Sequence, residues 1–139
     1  MSGLHQPEQQ AHYIYKICAR QDWAQACVQD GFSGAGIDID DGFIHFSAAH
    51  QIEGTAKKYF SGQDGLILLQ VPVDALSSAA LLWEVSRGGE KFPHLYGALL
   101  PQQVSQVWEF LWDSEGQPVL AYADGKTKPL AELTDAPQK

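Results

Sequence analysis

The stretch that most restricts the fold is LILLQVPV, at residues 66–73. It is an apolar run of strand length, the pattern of a strand buried on both faces in the middle of a sheet. Pro72 ends it, because proline has no backbone N–H to donate to a neighbouring strand. The other elements of the chain must therefore cover this strand from both sides.

The segments before this strand alternate between strand and helix patterns. The stretch YIYKICA is rich in β-branched and aromatic residues and predicts a strand over about 13–18. Asp22 and Gln25 have the spacing of a capping box, which predicts a short helix that ends near Gly31. A helical repeat of apolar residues then covers 48–60.

The second half of the chain has mainly strand patterns. LLWEV predicts a strand from Leu81 to Val85, and VSQVWEFLW at 104–112 alternates at the period of a strand. Strand, helix, strand, helix and then strands predict an α+β fold in which two or three helices cover a mixed or antiparallel sheet.

The length of 139 residues is enough for one hydrophobic core. We predict a polar leader over residues 1–12, a single α+β domain over 13–112 and a polar, weakly structured tail over 113–139. The tail is expected to hold at most one short strand, near 119–122.

The charge balance limits the partners. The chain has 9 basic and 17 acidic residues and a net charge of −8, so its field repels phosphate backbones and anionic membrane surfaces. We expect no extended nucleic acid and no membrane as a partner. Because no signal peptide and no long apolar run is evident, we expect a cytoplasmic protein. The sequence leaves the oligomeric state open.

Neither the cysteines nor the acidic loop predicts a metal site. Cys18 and Cys27 form no CxxC pair, and we interpret both as small core residues. Residues 31–42, rich in Gly and Asp, are predicted to form a mobile loop that lacks the spaced ligands of an EF-hand.

The stretch DGFIHFS at residues 41–47 holds the first candidate site residues. His45 and Ser47 lie on one face of a predicted interior strand, where an imidazole must be used or satisfied by hydrogen bonds. We predict that both line a small-molecule cleft. The alternatives are a histidine that donates to a backbone carbonyl and a serine that caps the next helix.

A second group of candidates follows the LLWEV strand. Glu84 interrupts an apolar strand, so it either lines a cleft and acts as a general base or faces solvent. Arg87, next to two glycines, is the best-placed cation for a phosphate or carboxylate, unless it is an ordinary loop arginine.

FPHLYG, at residues 92–97, completes the set of candidates. His94 and Tyr96 share one side if the chain is extended, and Gly97 would allow a ligand to approach closely. The alternative is an ordinary turn with amphipathic aromatic residues. His45, Glu84 and His94 also have the residue types of a two-histidine, one-carboxylate metal site.

Several of these motifs together resemble a bacterial family known as domain of unknown function 952. The resemblance runs from about Tyr13 to Trp112 and rests on GFIHFS, KKYF, LILLQV, the pair WE and FPHLYG. It implies an ADP-ribosyltransferase-like fold, a split β-sheet around a cleft, with no established activity.

A more distant resemblance points to chemistry. IHFSAAHQIEGTA, LILLQVPVDAL and LYGALLPQQV are similar to the second half of the RNA 2′-phosphotransferases, which use NAD. It implies that His45 and Ser47 face a nucleotide cleft. The arginine–histidine pair of those enzymes has no counterpart in YKICAR at residues 15–20, which argues against an RNA substrate.

Three functions remain open. In the first, the cleft binds NAD or an ADP-ribose-type nucleotide and catalyses ADP-ribosyl or glycosidic chemistry, with Tyr96 stacked on a ring and Glu84 near the reactive sugar. In the second, the same cleft binds a small ligand without catalysis. The third is metal-dependent hydrolysis at the two histidines and Glu84.

Overall fold

The run LILLQVP forms an interior strand, as predicted. In the computed structural model, which describes residues 11–29 and 31–133, strand β1 (Tyr13–Ala19) pairs with β3 (Leu66–Pro72), and β3 pairs with β6 (Gln106–Trp112). β7 (Pro118–Ala121) and β8 (Thr127–Pro129) extend the same antiparallel sheet outwards from β6. The order of this five-stranded sheet is β1-β3-β6-β7-β8.

A second antiparallel sheet lies beside the first. Its three strands are β2 (Ile44–His45), β5 (Lys91–Leu95) and β4 (Leu81–Val85), with β5 in the middle. Tyr15 and Ser47 exchange two backbone hydrogen bonds of 2.8 Å each, and these connect β1 to the residues that follow β2. This bridge positions the second sheet against the edge of the first.

Three α-helices complete the described part of the chain. They are α1 (Arg20–Gln29), α2 (Ile37–Asp41) and α3 (Ile52–Tyr59), the last preceded by a 3-10 turn over Ala49–Gln51. Together with the two sheets they give the predicted α+β fold. Within these described residues, no helix has both the length and the apolar character needed to cross a membrane.

The two faces of the five-stranded sheet carry separate hydrophobic cores. One core joins β1 and β3 to α1 and the second sheet, through residues such as Ile14, Trp23 and Leu95. The other joins the opposite face to α3 and the C-terminal strands, through residues such as Ile52 and Phe110. Because each strand alternates its side chains between the faces, the apolar run of β3 contributes to both cores.

Three local predictions differ from the structure. The loop expected over 31–42 contains α2, whose Asp38 side chain is buried. The strand expected over GFIHFS has only two residues, since the chain leaves β5 to pair with Tyr15. Cys18 is buried as expected, but Cys27 is exposed because α1 presents only part of its surface to the core.

The segment after residue 113 is more ordered than expected. It contributes two strands, β7 and β8, where at most one was predicted. Leu120 is completely buried and Leu130 nearly so, and both pack in the core beneath α3. Residues 1–10 of the predicted leader and 134–139 of the predicted tail lie outside the described residues, so the proposed domain limits stay predictions.

Leu120→Ala tests whether this segment is part of the core. We expect the free energy of unfolding to fall by about 2–5 kcal/mol, because the substitution opens a cavity at a fully buried site. Leu111→Ala, on the neighbouring strand but 41% exposed, is the matched control and should cost far less. Urea denaturation measures both. Equal losses for the two variants would contradict a core role for residues 118–130.

Candidate functional site

A cavity of about 480 Å³ opens where β1, α2 and α3 meet the second sheet. Four predicted site residues line it: His45, Ser47, Arg87 and His94. The other three, Glu84, Tyr96 and Gly97, do not. The volume is in the range of small-molecule sites.

The buried carboxylate of Asp38 organises one wall of the cavity. Asp38 is 1% exposed and forms an ion pair of 2.8 Å with Lys16 Nζ on β1, itself nearly buried. Its Oδ1 lies 2.5 Å from His45 Nδ1 and accepts a 3.0 Å hydrogen bond from the backbone N–H of His45. Its Oδ2 accepts a further hydrogen bond from the N–H of Ala35. The carboxylate thus joins β1, β2 and the start of α2.

The pKa of Asp38 reflects this environment. Burial acts to raise it, but the hydrogen bonds from His45 and the charge and hydrogen bond of Lys16 outweigh burial and lower the pKa from 3.8 to about 2. Asp38 is therefore ionised at neutral pH and compensates the buried ammonium group of Lys16.

His45 is held by carboxylates on both sides of its ring. Besides the contact with Asp38, its Nε2 lies 3.0 Å from Asp41 Oδ2. Both nitrogens can donate at once only when the ring carries two protons. The predicted alternative, donation to a backbone carbonyl, is wrong, because both ring nitrogens contact carboxylates of α2.

Ser47, Thr55 and Arg87 form a polar cluster on another part of the cavity wall. The hydroxyl oxygens of Ser47 and Thr55 are 3.2 Å apart, and Arg87 Nη2 donates to Thr55 Oγ1 at 3.0 Å. The alternative role of Ser47, capping the turn that follows it, is not what the structure shows. The Gln51 side chain takes that role by accepting from the N–H of Ala48.

The guanidinium group of Arg87 is held in place without a carboxylate. It lies 5.0 Å from the ring centroid of Phe92, and its nitrogens lie so close to Gly54 on α3 that a Cβ there would come within 3.1 Å. Among the residues that the structure describes, Arg87 has no ion-pair partner. Such an oriented, unpaired guanidinium beside two hydroxyls has the chemistry of an anion site.

Glu84 contacts the cavity only indirectly, through His94. Its Oε1 lies 2.8 Å from His94 Nδ1 and accepts a 2.8 Å hydrogen bond from the hydroxyl of Tyr96. Tyr96 is 43% exposed. Neither residue lines the cavity, contrary to the sequence prediction. The Glu84 side chain is 37% exposed and bonds to His94 and Tyr96 instead.

The pKa values in this group follow from its contacts. Hydrogen bonds from His94 and Tyr96 lower the pKa of Glu84, and burial lowers the pKa of His94 although Glu84 acts to raise it. The hydrogen bond to Glu84 raises the pKa of Tyr96. At neutral pH Glu84 is ionised, whereas His94 is neutral.

Gly97 does not line the cavity, so the close approach of a ligand at this glycine stays a prediction. Nothing in the described structure lies within 4 Å of the position that a Cβ would take there. A glycine matters instead at Gly54, because a Cβ there would crowd the guanidinium group of Arg87.

The two-histidine, one-carboxylate metal site is not assembled. The rings of His45 and His94 are 5.3 Å apart, but His45 faces Asp38 and Asp41, and His94 Nδ1 faces Glu84. Over residues 11–29 and 31–133, no group of three His, Cys, Asp or Glu side chains has a geometry suited to a metal ion.

Three residues of the site escaped the sequence reasoning: Lys16, Asp38 and Thr55. Asp38 alternates with Ile37 and Ile39 in IDID, but both isoleucines are at least half exposed and only the aspartate is buried. The signal was a lysine inside the otherwise apolar strand YIYKICA, because a buried lysine requires a carboxylate partner.

Comparison with known proteins gives the family. The model of the family described as "Protein of unknown function (DUF952)" matches residues 17–107. The chain belongs to this family. No curated protein matches the chain.

Solved structures of a protein from Caulobacter crescentus, CC0527, have a similar fold. Its crystal structure is 45% identical, with a TM-score of 0.72, and the match covers 76% of this chain and 92% of that one. Its solution NMR structure is also 45% identical, with a TM-score of 0.68 and coverage of 75% and 89%. Both were structural genomics targets.

Asp38→Asn tests the buried carboxylate. We expect a loss of about 3–5 kcal/mol in the free energy of unfolding at pH 7, because Lys16 is left buried without its counter-ion. Asp40→Asn, exposed on the same helix, is the control and should change stability little. Chemical denaturation at fixed pH compares them. A loss for Asp38→Asn as small as that for Asp40→Asn would show that the Lys16 pair is not structural.

The pH dependence gives a second measurement at Asp38. Because its folded pKa of about 2 lies below the unfolded value of 3.8, its contribution is complete above about pH 4 and is lost as the pH falls towards 2. The wild type should therefore lose more stability over this interval than Asp38→Asn does. Parallel curves of unfolding free energy against pH would contradict the assignment.

Proposed function

We propose that the cavity binds a small anionic ligand of the nucleotide type, ADP-ribose or NAD, and that Arg87 binds its phosphate. The observation that carries the proposal is the Arg87 guanidinium, which lines the cavity, is oriented by Thr55 and Phe92, and has no carboxylate partner in the described residues. An arginine in this state offers its remaining N–H donors to two oxygens of one phosphate.

The hydroxyls beside Arg87 support a phosphate in particular. Ser47 and Thr55 are neutral donors that can turn towards an anion, and both line the cavity together with Arg87. The chain as a whole carries −8, so a long polyanion is repelled while a small ligand with one or two phosphates needs only this local cluster.

Apolar and aromatic side chains complete a nucleotide-sized site. Phe46, Tyr59 and Phe92 line the cavity along with its polar groups. Tyr96 was predicted to stack on a ring of the ligand, but it lies outside. We assign that contact to Tyr59, which is 47% exposed at the end of α3.

The arrangement of two antiparallel sheets beside one cavity supports an ADP-ribosyltransferase-like fold, which the sequence resemblance implies. The resemblance to this fold implies NAD as the cofactor. ADP-ribosyl transfer, however, was assigned to Glu84, and Glu84 does not line the cavity. The geometry therefore favours the non-catalytic alternative, ligand binding, over catalysis of glycosidic cleavage.

Thermal shift with ADP-ribose, NAD and adenosine tests this function. A nucleotide at 100 times its dissociation constant should raise the unfolding free energy by about 2.7 kcal/mol, whereas adenosine, which has no phosphate, should bind far more weakly. Arg87→Gln should weaken nucleotide binding roughly 10- to 100-fold, the value of a charge-assisted hydrogen bond.

The control is Arg20→Gln, which removes an exposed arginine paired with Glu109. It should leave nucleotide binding as in the wild type. Failure of both nucleotides to stabilise the protein would end the proposal, and so would equal stabilisation by adenosine.

A further inference from the structure

The imidazole of His94 has one nitrogen that nothing in the described structure satisfies. His94 is 4% exposed and lines the cavity. Its Nδ1 contacts Glu84, but its Nε2 is buried and has no hydrogen-bond partner within residues 11–29 and 31–133. Buried polar atoms in folded proteins are nearly always paired, so this nitrogen points to a missing partner.

The position of Glu84 shows which ring nitrogen of His94 is already occupied. Glu84 does not line the cavity, and it binds the Nδ1 side of the ring. This contact occupies Nδ1 only, so Nε2 is the ring nitrogen that is left for a ligand in the cavity.

We propose that His94 Nε2 accepts a hydrogen bond from a ribose hydroxyl of the bound nucleotide, and that Glu84 makes it an acceptor by holding the ring proton on Nδ1. This inference rests on the proposed function. A carboxylate on Nδ1 fixes the tautomer in which Nε2 has a free lone pair. Glu84 is thus a positioning residue that acts from outside the cavity.

The surroundings of the ring keep this tautomer in place. Tyr96 donates to the same oxygen of Glu84, and Phe43 stacks on His94 with ring centroids 4.2 Å apart and planes at 26°. Burial lowers the pKa of His94, which favours the neutral ring with a single proton. With that proton on Nδ1 towards Glu84, Nε2 carries none.

Access to Nε2 requires a side chain to move, since bulk water does not reach this atom. We assign the movement to Phe43, which is half-buried and contacts the rings of His94, His45 and Tyr96. Side-chain rearrangements of this kind are common when ligands bind.

The first experiment needs no ligand. In ¹⁵N NMR spectra of the imidazole rings at neutral pH, His94 should show a protonated Nδ1 and an unprotonated Nε2. Glu84→Ala should shift His94 towards the Nε2–H tautomer, an effect that a purely structural role of Glu84 would not produce. Glu90→Ala is the matched control, because it removes an exposed carboxylate from another histidine, His50, outside the cavity. It should leave the His94 signals unchanged.

The second experiment compares two probes, ADP-ribose and inorganic pyrophosphate, which has no ribose hydroxyl. Glu84→Ala should weaken ADP-ribose binding about tenfold, the effect of one lost hydrogen bond, and leave pyrophosphate binding as in the wild type. Glu90→Ala should change neither affinity. Isothermal titration calorimetry measures both ligands.

The outcomes separate this inference from the proposed function. If ADP-ribose binds in an Arg87-dependent way but Glu84→Ala has no effect on it, the role of His94 is refuted and the proposed function stands. A wild-type spectrum with a proton on Nε2 also refutes it. If neither ADP-ribose nor NAD binds the wild type, the proposed function fails and the hydroxyl assignment fails with it, whatever the tautomer.

Discussion

The Asp38 carboxylate is the interaction on which the cavity depends. It is the counter-ion of Lys16 on β1, a hydrogen-bond acceptor for the ring and backbone of His45, and the anchor of the turn that leads into α2. The two sheets also share the backbone bridge between Tyr15 and Ser47, and Asp38 in addition ties α2 to both of them. Removing one member of a buried ion pair leaves the other uncompensated, so this wall forms as a unit.

The cavity separates two kinds of polar group. Around Asp38, each positive or hydrogen-bonding group already has a partner, and that network holds the wall together. At Arg87, and at Nε2 of His94, the described residues leave bonding capacity unused. Ligand recognition is expected where such capacity remains, because an unpaired buried group gains more from a ligand than a satisfied one does. In the proposal made above, Glu84 is therefore the residue that orients His94, and not the reacting carboxylate that the sequence predicted.

Several elements were predictable because local sequence governs them. LILLQVP forms the interior strand, LLWEV forms β4 with the predicted limits, and the alternation in QVWEFLW places Trp108 and Phe110 in the core and Val107 and Leu111 outside. Side-chain period and β-propensity are properties of a short segment. A short strand near 119–122, the place of β7, was expected, but β8 was missed because its polar, turn-rich sequence becomes ordered only by pairing with β7.

From the sequence alone came the α+β class, the limits of the main strands and four of the residues that line the cavity: His45, Ser47, Arg87 and His94. Only the tertiary structure decided the direction of each side chain and the partner of each charge. Glu84 and His94 lie on paired neighbouring strands yet differ in exposure, and Asp38 is buried between two exposed isoleucines. The physical reason is that burial and ion pairing depend on contacts between residues that are far apart in the sequence. Here those contacts form where β1 meets the second sheet, and no local sequence pattern encodes them.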